Sequence, residues 1–258
     1  LRQWLVAQYG APIGEETNTE QELIIVGMGK LGGGELNVSS DIDLIFIYPE
    51  DGNTNGNRQR SNHEFFTQLG RKLINALNDA TAEGFVFRVD MRLRPYGDSG
   101  PLVSSFAALE AYLHTQGREW ERYAWIKGRA LCGDQDGLIQ IVRPFVFRKY
   151  LDFGAYGSMR NLHVQIRREV ARKEMQDNIK LGPGGIREIE FIAQVFQLIR
   201  GGRDRALQVK PTRTVLRYLA SQQLLPNEAV DELITAYEFL RNLEHRLQYL
   251  EDGQTQTL

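Results

Sequence analysis

The chain has 258 residues, 42% of them hydrophobic and 25% charged, a balance ordinary for a globular protein and long enough for two modest cores. Its 31 Lys and Arg nearly cancel its 33 Asp and Glu, so it lacks the excess positive charge that sequence-independent nucleic-acid binding draws on. A single cysteine, Cys132, excludes an internal disulfide and suits a reducing cytoplasm. No apolar run approaches the roughly 20 residues that span a bilayer, and no signal-peptide pattern opens the chain. With no initiating Met and no terminating signal after Thr257-Leu258, the sequence reads as a piece of a longer protein.

Residues 23–27 (LIIVG) form a short β-branched run that predicts a buried strand, followed by a permissive loop with glycines at 27, 29, 32, 33 and 34. Residues 41–48 (DIDLIFIY) predict a second strand. It is apolar on both faces beyond Asp43 and therefore central in its sheet. Pro49 to Arg60 is a polar loop. Ser61 and Glu64 then make a capping box for a helix carrying Phe65, Leu69, Leu73 and Leu77. Residues 85–94 alternate: Val86, Arg88, Asp90, Arg92 and Arg94 share one face of an expected strand that Pro95 ends.

After about residue 104 the pattern turns helical and is expected to stay so. Met159, Leu162, Ile166 and Val170 mark one amphipathic helix, residues 186–200 a second, and Val230, Leu233, Tyr237, Leu240 and Leu247 a third. Strands followed by helices predict an α+β domain over 1–152 and an all-α domain over 153–258.

Chemistry concentrates in Gly29-(x)11-Asp41-Ile-Asp43, with Asp90 about fifty residues later. Two carboxylates two apart on a strand project from one side, and a third from a neighbouring strand would converge on them. Unpaired, they would repel by about 1–4 kcal/mol per pair. A hard divalent cation, Mg²⁺ or Mn²⁺, is the usual remedy and can bridge a nucleotide's phosphates. Arg88, Arg92 and Arg94 on the same expected face suit a polyanionic substrate. A DxD beside glycines is, on its own, also what a solvated strand edge looks like; the third Asp and the arginines weigh against that.

The spacing of Gly27, Gly29 and Gly32 imitates a dinucleotide fingerprint, but Gly33-Gly34 interrupts the helix it needs and the acidic residues come too early. Glu188 falls among Ile192, Val195 and Ile199 on the apolar side of its wheel, where it should be ion-paired or face the site. Arg118, Arg122, Lys127 and Arg129 are interleaved with Trp120, Tyr123 and Trp125. That is either a solvated helix face or a phosphate and adenine contact, with Lys127 the favoured cation. The histidines show no metal-ligand spacing, and Cys132 has no evident His partner.

At GMGKLGGGELNVSSDIDLIFIY (27–48), VDMRLRPYGDSGPLV (89–103) and IKLGPGGIREIEFIAQVFQLIRG (179–201) the sequence closely resembles the bacterial glutamine synthetase adenylyltransferase/adenylyl-removing enzymes. The resemblance implies a polymerase-β-like nucleotidyltransferase domain followed by a helical bundle, one of two such halves in a cytoplasmic enzyme. Asp41, Asp43 and Asp90 match the family's metal carboxylates, and Gly29, Lys30 and Ser40 fall in its nucleotide-binding motif. Many nucleotidyltransferases have serine where Lys30 stands, but this family itself reads GKLGG. Met91 and Gly97-Asp98-Ser99-Gly100-Pro101 look like the amino-terminal, adenylyl-removing half, since the other half reads VDARLRPSG. The implied reaction is phosphorolysis of adenylylated glutamine synthetase by inorganic phosphate, yielding ADP. The implied control is through the PII signalling protein, glutamine and 2-oxoglutarate. Adenylylation from ATP and a degenerate nucleotide-sensing module are the alternatives, and neither nucleic acid nor a membrane is an expected partner.

Overall fold

The computed structural model describes residues 1–149 and 178–251, apart from Val38 and Glu83, together with Gly157 and Val164. The chain divides into two compact units. One comprises Leu1–Gly32 and Asp41–Phe145, the other Gly33–Ser40 and Val146–Leu258. The expected boundary at 152/153 and the expected helix positions Met159, Leu162, Ile166 and Val170 lie outside the described residues. Residues 33–40, read from sequence as part of the first domain, group with the second unit.

The first unit mixes helix and strand. In chain order it contains α1 (Arg2–Tyr9), β1 (Pro12–Gly14), β2 (Ile24–Gly27), α2 (Gly29–Gly33), β3 (Ile42–Tyr48), β4 (Gly52–Thr54) and α3 (Asn62–Asn78). There follow β5 (Val89–Asp90), a 3-10 turn (Gly97–Ser99), β6 (Val103–Ser105), α4 (Phe106–Thr115), α5 (Glu119–Trp125), β7 (Arg129–Cys132) and α6 (Gln135–Val146). A five-stranded sheet runs β5-β3-β2-β7, with β6 also on β3, while β1 and β4 form a separate two-stranded ribbon.

β3 is the hub of the sheet. It pairs antiparallel with β2 and parallel with both β5 and β6. Leu44 to Tyr48 are each at most 2% exposed, as an apolar run covered on both faces requires. α3 starts at the Ser61–Glu64 capping box, in which each side chain satisfies the other residue's backbone N–H. Its buried face carries Phe65, Phe66, Leu69 and Gly70. Gly70 allows a close approach, because a Cβ there would stand 2.8 Å from the Phe46 ring.

Two sequence expectations fail here. The strand predicted over 85–94 is paired only at Val89 and Asp90. Before it, the Val86 and Phe87 N–H groups both donate to the Leu77 carbonyl at the end of α3. After it, Arg94 N–H bonds the Met91 carbonyl and Tyr96 and Gly97 take positive φ, turning the chain off the sheet. The helical pattern expected after residue 104 is broken by β7, which pairs with β2 and is flanked by Gly128 and Gly133.

In the second unit, α7 (Ile186–Arg200), α8 (Thr212–Ser221) and α9 (Asn227–Glu251) pack on one another. They enclose Ile189, Leu207, Val215, Leu216, Leu219 and Val230. The sequence did not single out α8. On α7 the side expected to be apolar, with Ile192, Val195 and Ile199, is only partly buried, whereas Gln194 and Gln197 are 4% and 2% exposed. Gln197 is admitted because its Nε2 donates to the Leu207 and Val209 carbonyls at 2.7 and 2.6 Å.

Candidate active site

The site begins where β2 and β3 meet. The Met28 N–H donates to the Asp43 carbonyl at 2.9 Å, setting the glycine turn against the first residues of β3. Gly29 takes φ +51°, and a Cβ there would stand 2.9 Å from Asp43 Oδ2. Backbone conformation and the neighbouring carboxylate both call for glycine at that position. The other end of the turn is held by Arg129, whose Nε and Nη2 donate to the Gly32 and Leu31 carbonyls at 3.0 Å each.

On the opposite edge of β3, the parallel register makes Asp43 and Asp90 direct partners, one step beyond Ile42 and Val89. Neighbouring strands lie about 4.8 Å apart, so partnered residues project side by side from one face. Asp41 is two residues before Asp43, and the Ile42 N–H between them donates to the Arg88 carbonyl at 2.9 Å. The backbone therefore gathers the three aspartates at one corner of the sheet.

Their side chains are partly committed to arginines. Asp41 Oδ1 accepts from Arg88 Nε at 2.7 Å. Asp90 accepts from the Arg92 backbone N–H at 2.8 Å, from Nε at 2.9 Å on Oδ2 and from Nη2 at 2.5 Å. The Arg92 hydrogen bond holds the Asp90 carboxyl below its usual range, against the opposing effect of partial burial. Among the described residues, accordingly, no three His, Cys, Asp or Glu side chains stand in a metal-holding group. The backbone register and the donor set fit a hard cation; the Asp90 side chain would have to leave Arg92 to join it. Arg92 is 74% exposed at its side chain, so that exchange costs little packing.

Arg94 acts on Asp90 through its charge, while its hydrogen bonds go elsewhere. Its Nη1 donates to the Met91 carbonyl at 2.8 Å and lies 3.5 Å from Asp98, and its buried Nε has no partner. The basic, aromatic run is a solvated face only at its start, where Arg118 and Trp120 are exposed. Arg122 is fully buried and paired with Glu119 at 3.3 Å. Glu121, 3% exposed, accepts from the Tyr112 hydroxyl at 2.5 Å and the Arg118 N–H at 2.9 Å. Burial and then Glu121 push Tyr112 up to about 12. Lys127 is 6% exposed, and its carbonyl lies where a Cβ on Gly32 would come within 2.0 Å. The segment from Lys127 to Arg129 thus packs behind the glycine turn. Nothing in the sequence pairs Arg129 with carbonyls nearly a hundred residues away, so its role was not legible.

Lys30 is half-buried in the first turn of α2. Ser40 adjoins Asp41 in sequence but groups with the second unit, where its N–H lies 3.4 Å from the Asn37 carbonyl. Glu188, in the first turn of α7, is half-buried and accepts the Gly184 N–H at 2.9 Å.

Residues 1–143 match the family model described as glutamate-ammonia ligase adenylyltransferase, and residues 160–258 match that of GlnD PII-uridylyltransferase. The chain is similar to bifunctional glutamine synthetase adenylyltransferase/adenylyl-removing enzymes from several bacteria. It is 74% identical to that of Chromobacterium violaceum over 97% of this chain and 28% of the relative. For Nitrosomonas eutropha the figures are 66%, 97% and 27%, and for Pseudomonas aeruginosa 59%, 97% and 26%. The chain thus spans little more than a quarter of the length of these relatives. Among the described residues no helix is long and apolar enough to cross a membrane.

Proposed function

The chain belongs to the glutamate-ammonia ligase adenylyltransferase family, and from that premise we propose that it removes the adenylyl group from the modified tyrosine of glutamine synthetase by phosphorolysis. The observation that carries the proposal is the parallel pairing of Asp43 with Asp90 beside the Gly29 turn, with Asp41 two residues away. The first unit is read as a polymerase-β-like nucleotidyltransferase domain and the second as its helical companion. The direction of reaction rests on Met91 and Gly97–Pro101, which resemble the adenylyl-removing half.

In this reading Asp41, Asp43 and Asp90 hold Mg²⁺ or Mn²⁺. The bound cation neutralises phosphoryl charge and favours in-line displacement. The Gly29 turn lets backbone approach the nucleotide's phosphate, and Lys30 adds positive charge beside it. Arg92, able to leave Asp90, and Arg94, with its partnerless Nε, supply fixed positive charge for the incoming phosphate. An oxygen of inorganic phosphate forms a bond to the adenylyl phosphorus, and the bond from phosphorus to the tyrosine oxygen breaks. The tyrosine oxygen takes up a proton, leaving ADP and unmodified tyrosine. The burial of Lys127 and its packing behind Gly32 favour a role in holding the turn over direct phosphate contact. Glutamine synthetase is the protein substrate, and control by PII belongs to the longer protein in the cytoplasm.

Incubation with adenylylated glutamine synthetase and labelled phosphate tests the proposal. Labelled ADP is expected. AMP released without phosphate dependence would mean hydrolysis, and incorporation of adenylyl groups from ATP would mean the opposite direction.

A further inference from the structure

The glycine turn cannot hold its own shape. Gly27, Gly29 and Gly32 make up half of residues 27–32, and glycine gives up more conformational freedom on ordering than any other residue. α2, the helical piece of the turn, has five residues, too few to be stable alone. Its last carbonyls find no partner within so short a helix. Arg129 supplies the partner for two of them: Nε donates to the Gly32 carbonyl and Nη2 to the Leu31 carbonyl, each at 3.0 Å. Packing closes the turn from the same side. A Cβ on Gly32 would stand 2.0 Å from the Lys127 carbonyl and 2.4 Å from that of Gly27, and one on Gly128 would stand 3.2 Å from Met28 Sδ. The Gly32 N–H donates to the Met28 carbonyl at 3.0 Å, and the Met28 N–H to the Asp43 carbonyl at 2.9 Å. A continuous line of contacts therefore runs from Arg129 through the turn to Asp43, and Arg129, Gly32, Met28 and Asp43 all belong to the first unit.

Arg129 acts from a distance. It is the cross-strand partner of Gly27, and β2 lies between its own strand, β7, and the strand of Asp43. Two interstrand steps separate those strands by about 10 Å. Its guanidinium is committed to the turn, where a planar fork can hold two successive carbonyls at once, as a lysine ammonium on its flexible stem does not. We propose that Arg129 is a positioning residue of the nucleotide site: by clasping the Leu31 and Gly32 carbonyls it keeps the turn in the conformation that admits a nucleotide's phosphate beside Asp43. The inference rests on the nucleotide reading above and adds to it a requirement from the end strand of the sheet.

The test compares two affinities in one set of variants. ADP binding in the presence of Mn²⁺ is measured by calorimetry, Mn²⁺ binding alone by the free-ion electron paramagnetic resonance signal, and folding by circular dichroism. Arg129→Lys keeps the charge and the aliphatic stem but gives up the two-carbonyl clasp. It should remain folded and bind ADP more weakly by about tenfold or more, the scale of a lost hydrogen bond from a charged group. Its Mn²⁺ affinity should not change, because the three carboxylates are carried by β3 and β5 and not by the turn. Arg129→Gln, uncharged and with a single amide to offer, should weaken ADP at least as much and decides the matter if the lysine variant does not fold. Parental ADP affinity in either folded variant would overturn the inference. So would a fall in Mn²⁺ affinity matching the fall for ADP, since the loss would then run through the carboxylates. Absence of ADP binding by the unsubstituted protein would instead overturn the nucleotide reading, and this inference with it.

Discussion

Arg92 sets the state of Asp90, and its effect can be measured in the metal-free protein. Its guanidinium is the largest influence holding the Asp90 carboxyl below the usual range. A depressed folded pKa stabilises the folded state above the unfolded value, and that contribution is lost as pH falls through the folded value. Arg92→Ala should therefore move the Asp90 titration upward, toward an ordinary carboxylate, as followed by carbon NMR. In turnover, Arg92→Ala or Arg94→Ala should raise the phosphate concentration needed for half-maximal ADP release by more than it weakens nucleotide binding. An equal loss in both would assign these arginines to general charge balance. That the three aspartates would come from neighbouring strands was legible in the sequence, because a DxD and a distant third Asp keep their spacing whatever the side chains do. The ion pairs of Asp41 with Arg88 and Asp90 with Arg92 were not, because alternation assigns a face and says nothing of which rotamer wins.

At the level of elements, β3 was legible for a physical reason: an unbroken apolar run can only be satisfied in the middle of a sheet. The Ser61–Glu64 box likewise marked the start of α3 through local chemistry alone. The shortening of the 85–94 strand and the presence of β7 were not legible. Each depends on a partner supplied from elsewhere: the Leu77 carbonyl in one case, β2 in the other. α7 shows the same limit, since Gln197 reads as polar until the Leu207 and Val209 carbonyls are seen above it. Gln197→Leu would strand both acceptors in a buried setting, at a cost of about 1–3 kcal/mol each. Urea unfolding of the second unit should show that loss, while the far-UV spectrum at zero urea stays unchanged. A variant as stable as the parent would mean that neither bond contributes.

For the whole molecule, the two compact units are not two consecutive stretches of sequence, because residues 33–40 group with the second. Periodicity could not reveal this: the segment is short, carries no regular pattern, and is held by α9 more than two hundred residues later. The near-neutral charge weighs against sequence-independent nucleic-acid binding by the chain. The reading of the whole stands or falls with the facing carboxylates. Its most direct test is the rate of ADP release from adenylylated glutamine synthetase by Asp43→Asn, at saturating Mg²⁺ and phosphate. The substitution keeps the side chain's size and relieves repulsion, so the protein should remain folded. Turnover should fall by at least about a hundredfold, since a catalytic metal supplies several kcal/mol of transition-state stabilisation. Near-normal turnover in the folded variant would contradict the assignment of the site.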